Sequence, residues 1–187
     1  MKLFCATGNA GKLREFQLAA GEGIEIEALA GIAAPEETGS TFEENAAEKA
    51  MYYSRFAPGF LFADDSGLEI DALAGAPGIY SARYAGNDAD NNARVLRELE
   101  RATNRTARFV CVIALAEQGN LVHTFRGEVG GEILRAPQGS GGFGYDPLFY
   151  YPPFQCSLAE VPAEKKHTVS HRGKALSAMF AYLSSRK

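Results

Sequence analysis

Two short apolar runs, residues 2–7 (KLFCAT) and 60–63 (FLFA), each lead into a polar segment that contains glycine, and they constrain the fold more than any other feature. Both are too short for a helix and read as buried strands, the second expected to turn at Asp64-Asp65-Ser66-Gly67. Between them lies a helical stretch of about residues 42–56, opened by Thr41 and Glu44 at capping-box spacing and closed by Pro58-Gly59. A strand, a helix and a strand in that order imply a parallel crossover. An earlier helix places Leu13, Phe16, Gln17 and Ala20 on one face, and residues 24–29 alternate apolar and acidic like a strand with one wet face.

Downstream, the patterning predicts a helix at about 91–101 and a hairpin of 108–117 with 121–129 about Gln118-Gly119-Asn120. A short strand at 148–151 and a last helix at 171–184, striped by Leu176, Met179, Phe180 and Leu183, complete the expectation. Residues 72–90 are long for a structureless loop, and loops of that length are often functional. Without repeats or an interdomain linker, residues 1–187 read as one mixed α/β domain.

A hydrophobic share of 46% with 22% charged residues is that of a soluble globular chain. The net charge of -4 argues against a nucleic-acid surface, though a phosphorylated small molecule needs only a local cluster of donors. Cys5, Cys111 and Cys156 are odd in number and widely spaced, which suits reduced thiols and a cytoplasmic location. No leader or membrane span is read from the pattern.

Five constellations carry candidate chemistry. Thr7-Gly8-Asn9-Ala10-Gly11-Lys12 sits at a strand-to-helix turn, where backbone N–H groups favour anions and Lys12 adds a positive charge; the alternative is a plain helix start. Asp64 and Asp65 end an apolar strand, where adjacent carboxylates call for a divalent cation, and alternation turns them to opposite sides. The alternative there is a solvated turn. Glu36 or Glu37 could add a second carboxylate, or be solvated; Lys49 reads equally as a solvated helix charge. Asn45 is a weak helix former early in a helix. The glycine-rich run 139–147 has no dinucleotide-binding context, and it either brings backbone and the Phe143 ring to a ligand or merely connects. Lys165-Lys166 and Ser170-His171-Arg172 place cations at a helix start, against its dipole, unless an anion lies there.

Together, TGNAGK at 7–12, TFEENAAEKA at 41–50, the segment 63–86, GGFGYDPLF at 141–149 and SHRGKAL at 170–176 resemble the inosine/xanthosine triphosphate pyrophosphatase family along the whole chain. The resemblance implies an α/β fold with an elongated mixed sheet and flanking helices, two lobes around a central substrate cleft, and a homodimer. It implies that Thr7, Gly8, Asn9, Ala10, Gly11 and Lys12 bind the triphosphate, and that Glu37 and Asp65 ligate Mg2+, with Asp65 also the general base. Ser66 would contact substrate, while Phe143, Gly144, Tyr145, Asp146, Lys166, His171 and Arg172 would line the nucleobase pocket. Ser81 and Arg83 would approach the phosphates. The implied reaction is attack of water on the α-phosphorus with loss of pyrophosphate. A pyrophosphatase of the Maf-like type, disfavoured by SHRGKAL, and a nucleotide-binding module without turnover are the rival readings.

Overall fold

The computed structural model describes residues 1–186. Its regular elements, in chain order, are β1 (Lys2–Ala6), α1 (Ala10–Ala19), β2 (Glu25–Ala28), α2 (Phe42–Ser54), β3 (Leu61–Ile70), α3 (Asp88–Glu98), β4 (Thr106–Glu117), β5 (Asn120–Ile133), β6 (Phe149–Tyr151), β7 (Cys156–Ser157), α4 (Ala163–Val169) and α5 (His171–Ser184). The strands form one mixed sheet in the order β2-β1-β3-β4-β5-β6-β7. The chain divides into two compact units. One comprises Met1–Asp65, Cys111–Gly127 and the segment from His171 onward; the other comprises Ser66–Val110 and Glu128–Ser170.

In the first unit β1 pairs in parallel with both β2 and β3, Phe4 lying opposite Leu61, as the strand–helix–strand order predicts. Its core gathers Leu3, Phe16, Ile26, Phe62, Ile113, Leu115, Leu176 and Met179, with Phe16 edge-on to Phe62 at 5.0 Å. The alternation of β1 and β3 and the 3.6-residue stripe of α5 therefore meet in one apolar layer. A Cβ at Gly127 would lie 2.1 Å from His171 O and 2.7 Å from Ala175 N, so only glycine lets the first turn of α5 approach β5 this closely. β4 and β5 are joined through Gln118 and Gly119, both at positive φ, the conformation of a two-residue hairpin turn.

In the second unit β6 pairs antiparallel with β5 and β7. Leu68, Ile70, Val95, Leu99, Phe109, Ile133, Leu148 and Leu158 fill its core. Asn87 caps α3 by accepting from Asp90 N–H.

Several expectations are corrected. β3 does not turn at Asp64–Gly67 but runs on to Ile70, because Leu68 and Ile70 resume the buried alternation and the two carboxylates find cations inside the protein. Residues 72–90 are not structureless: they include 3-10 turns ending at Leu73 and spanning Gly78–Arg83, and α3 begins at Asp88. β5 continues through Gly130-Gly131 to Ile133, and β7 and α4 carry no periodic signal long enough to announce them. The capping box at α2 is half formed. Thr41 Oγ1 accepts from Glu44 N–H at 3.1 Å, but the Glu44 carboxylate accepts from Ser40 N–H and Ser40 Oγ instead. Among the described residues no helix is long and apolar enough to cross a membrane.

Candidate active site

At the end of β1 the chain bends into α1 with a local scaffold of its own. Thr7 Oγ1 accepts from Asn9 N–H at 3.1 Å, and Asn9 Oδ1 caps the helix by accepting from Lys12 N–H at 3.0 Å. This satisfies one of the helix's unpaired donors. Lys12 then reaches back to β3, its Nζ 2.9 Å from Asp64 Oδ2. Asp64, 1% exposed, also faces Arg172 Nε at 3.6 Å, and Arg172 forms an ion pair with Glu15 on α1. Burial opposes ionisation of Asp64, but Lys12, then Arg172 and Lys49, outweigh it and hold the carboxyl well below the usual range. Burial likewise opposes the charge of Arg172, and Glu15 and Asp64 more than compensate.

Asp65, the next residue, meets different partners, as alternation requires. Its Oδ2 accepts from Asn45 Nδ2 at 3.2 Å and its Oδ1 lies 3.3 Å from Lys49 Nζ. Lys49 also holds Glu37 Oε1 at 3.0 Å. Asn45 and Lys49 stand four residues apart on one face of α2, which is why both reach the same carboxylate. Burial raises the Asp65 carboxyl; Lys49, Lys12 and Asn45 offset only part of that, and the charge of Asp64 adds to it. The neighbouring carboxylates are thus driven apart, Asp64 down and Asp65 up, the arrangement by which one strand can supply a permanent anion beside a proton acceptor. Burial works against the Lys49 ammonium too, but Asp65, Asp64 and Glu37 together keep it charged.

Glu37 and Asp65 therefore converge on one cationic centre from separate chain segments. An all-oxygen pair of this kind suits a hard divalent ion that takes its remaining ligands from water and phosphate. Among the described residues no group of three or more His, Cys, Asp or Glu stands close enough to hold a metal ion by itself. Next to them the Asn45 Oδ1 atom is buried without a hydrogen-bond partner, packed where a Cβ on Gly39 would intrude to 2.6 Å.

In the second unit the glycine-rich loop is also built around a carboxylate. Asp146 Oδ2 accepts from Phe143 N–H at 2.9 Å and from the buried Lys166 Nζ at 2.6 Å, and Lys166 lies over the Phe143 ring at 5.1 Å. Tyr145 donates its hydroxyl to Ser81 O at 2.7 Å.

The structure thus brings Lys12, Asp64 and Arg172 together, sets Glu37 and Asp65 about Lys49, and gathers Phe143, Asp146 and Lys166. Ser81 is buried as a structural link, accepting from Leu68 N–H and donating to Gly78 O. Ser66 is half-buried in β3, and Arg83 lies over the Tyr80 ring. His171 and Arg172 are buried in the first turn of α5, and the anions that reconcile Arg172 with that helix start are Glu15 and Asp64. Lys49, open to a reading as a solvated charge, is 16% exposed and central, while Asn45 owes its place to Asp65. Glu15 went unsingled by sequence; only its position one helical turn beyond Lys12 hints at it.

The chain as a whole is similar to known proteins. The model of the Ham1 family matches residues 3–182. A curated dITP/XTP pyrophosphatase of Acidobacterium capsulatum is 47% identical over 199 residues, covering 98% of each chain. Its namesake in Desulforamulus reducens is 49% identical over 185 residues, covering 94% of this chain and 92% of the other. Among solved structures, a HAM1 protein from Coxiella burnetii shares the fold at a TM-score of 0.89 with 40% identity over 99% of both chains. The Staphylococcus aureus Ham1 protein does so at 0.88 with 39% identity over 100% of both. A family model spanning nearly every residue, relatives nearly half identical from end to end and a solved structure that superposes at a TM-score of 0.89 leave one assignment: this chain belongs to the Ham1 family.

Proposed function

We propose that the chain hydrolyses the triphosphates of inosine, deoxyinosine and xanthosine to the nucleoside monophosphate and pyrophosphate, removing deaminated purines from the nucleotide pool. The observation that carries this reading is the splitting of one buried acidic pair: Asp64 is neutralised by Lys12 and Arg172, and Asp65 is raised beside Glu37 and Lys49. The relatives' names, dITP/XTP pyrophosphatase, supply the substrate class.

Mg2+ fits the Glu37 and Asp65 oxygens, and when bound it supplies charge neutralisation and orientation of the triphosphate. The rest is the work of the chain's own residues. The turn at Thr7, Gly8, Asn9, Ala10, Gly11 and Lys12 offers N–H groups at a helix start to phosphate oxygens, with Asn9 contributing through its amide nitrogen because its oxygen caps α1. Asp64 fixes the Lys12 ammonium at that turn, where it stabilises charge developing on the phosphates. Asp65, whose affinity for a proton is raised by burial, orients a water and takes its proton as the oxygen attacks the α-phosphorus. Ser66 follows it as a substrate contact. Phe143, Gly144, Tyr145 and Asp146 with Lys166 are read as receiving the base, and the family resemblance implies His171 and Arg172 as donors to the oxygen at its six-position. Adenine, with an amino group there, would leave those donors unmatched at about 1–3 kcal/mol each. The family resemblance supports a cytoplasmic homodimer acting on small nucleotides rather than on nucleic acid or membrane.

The test is a panel of nucleoside triphosphates assayed with Mg2+ for pyrophosphate and orthophosphate. Inosine triphosphate should give inosine monophosphate and pyrophosphate with no diphosphate intermediate. Orthophosphate as the first product would move the attack to the γ-phosphorus and overturn the mechanism.

A further inference from the structure

The loop at 141–147 is gripped within its own unit by a helix to which no role has been given. Gly144 N–H donates to Asp88 Oδ2 at 2.8 Å, and Gly144 C=O accepts from Asn92 Nδ2 at 2.9 Å. Asp88 is the first residue of α3 and Asn92 stands one turn later, so a single helix face presents an acceptor and a donor to the two backbone groups of one residue. The same Asn92 nitrogen also donates to Asp88 O at 2.8 Å, which ties the grip together. Gly144 takes a φ of 62°, a conformation glycine adopts without strain.

The neighbouring backbone is engaged as well. Phe143 N–H donates to Asp146 Oδ2, Phe143 C=O accepts from Asp146 N–H at 3.3 Å, and Tyr145 C=O accepts from Leu148 N–H at 3.0 Å. With these groups engaged inside the protein, the aromatic face that the loop can turn to a flat ligand is that of the half-buried Phe143 ring, which Lys166 Nζ approaches at 5.1 Å.

We propose that Asp88 and Asn92 are positioning residues for the nucleobase: by clamping Gly144 they hold the Phe143 ring as a stacking platform that binds every purine alike. This rests on the reading that the loop receives the base of a nucleoside triphosphate. Stacking on an aromatic face tolerates any base, because every base has a π-face. The clamp therefore sets how tightly a purine nucleotide is held, and the choice among purines is made by other groups.

The experiment is steady-state pyrophosphate release from inosine, adenosine and guanosine triphosphates by the parent chain and by Asn92→Ala, Asp88→Ala and Asp88→Asn, each checked for folding by thermal melting. Asn92→Ala and Asp88→Ala should raise KM for all measurable substrates by a common factor of about three to ten, the worth of one hydrogen bond. Their kcat should stay within about twofold of the parent and the order of preference should not change. Asp88→Asn keeps an oxygen for Gly144 N–H and should restore the parent KM. Folded Ala variants with an unchanged KM, a loss confined to kcat, or an altered preference would each overturn the clamp. If the substitution at one position prevents folding, the variants at the other carry the same test. A parent chain that releases no pyrophosphate from any purine triphosphate overturns the functional reading and the clamp with it, whereas an active parent with indifferent variants overturns the clamp alone.

Discussion

Asp64 and Asp65 are adjacent on β3, yet replacing each by Asn should damage different properties. Asp64 is 1% exposed and balances Lys12 at 2.9 Å and Arg172 at 3.6 Å. Removing one partner of a buried ion pair costs about 3–5 kcal/mol, because the remaining charge is left uncompensated. Two features reduce that here: the Lys12 side chain is 20% exposed and can turn toward water, and Arg172 keeps Glu15. The expected loss for Asp64→Asn is therefore about 2–4 kcal/mol, or roughly 5–15 °C in melting temperature for a chain of this size. For Asp65→Asn the balance differs, since burial already disfavours its charged form and Lys49 retains Glu37. That change should cost less than about 1 kcal/mol, while removing the base lowers turnover of inosine triphosphate by about a hundredfold or more. Urea unfolding followed by circular dichroism, with the slope compared between variants, measures the first quantity, and pyrophosphate release measures the second. The reasoning fails if Asp64→Asn loses under about 1 kcal/mol, or if Asp65→Asn turns over at the parent rate.

Lys12→Ala should lower kcat/KM for inosine triphosphate about tenfold or more, as the loss of a charge-assisted phosphate contact does. An unchanged value would make Lys12 only the partner of Asp64. Lys49→Gln leaves Glu37 and Asp65 without the ammonium between them, so the affinity for Mg2+ in the absence of nucleotide should rise about tenfold by titration calorimetry, the equivalent of ~1.4 kcal/mol. Equal or weaker binding would remove Lys49 as the competing cation. Gly127→Ala would press a Cβ against the backbone of α5 at His171 O and Ala175 N, which cannot yield as a flexible side chain could. A loss of about 3 kcal/mol in urea unfolding is expected, and one under about 1 kcal/mol would show that β5 and α5 separate easily.

Local patterns made much of the architecture legible. The stripe of α5 runs over His171–Ser184 as its spacing indicates, and the parallel pairing of β1 with β3 follows from the strand–helix–strand order. The hairpin turn at Gln118–Gly119 was marked by its glycine, and the ordered motifs hold Lys12, Asp64, Asp65, Asp146 and Arg172, while Glu37 and Lys166 lie outside them. These are short-range signals: periodicity, a turn residue, a helix start. The course of β3 was not legible, because Asp64-Asp65-Ser66-Gly67 reads locally as a turn, and only cations from distant segments make an extended, buried carboxylate pair tolerable. Lys12 and Asp64 are 52 residues apart, and Arg172 comes from the last helix. Nor could spacing say which carboxylate would ionise easily, since Asp64 and Asp65 are chemically identical and differ only in burial and neighbours. The grip of α3 on Gly144 was hidden for the same reason: a hydrogen bond between a helix and a backbone 52 residues further on leaves no mark in either segment. Side-chain type and period are properties of a stretch of chain, whereas charge balance and donor–acceptor pairing belong to the packed interior, where low polarity makes each partner decisive.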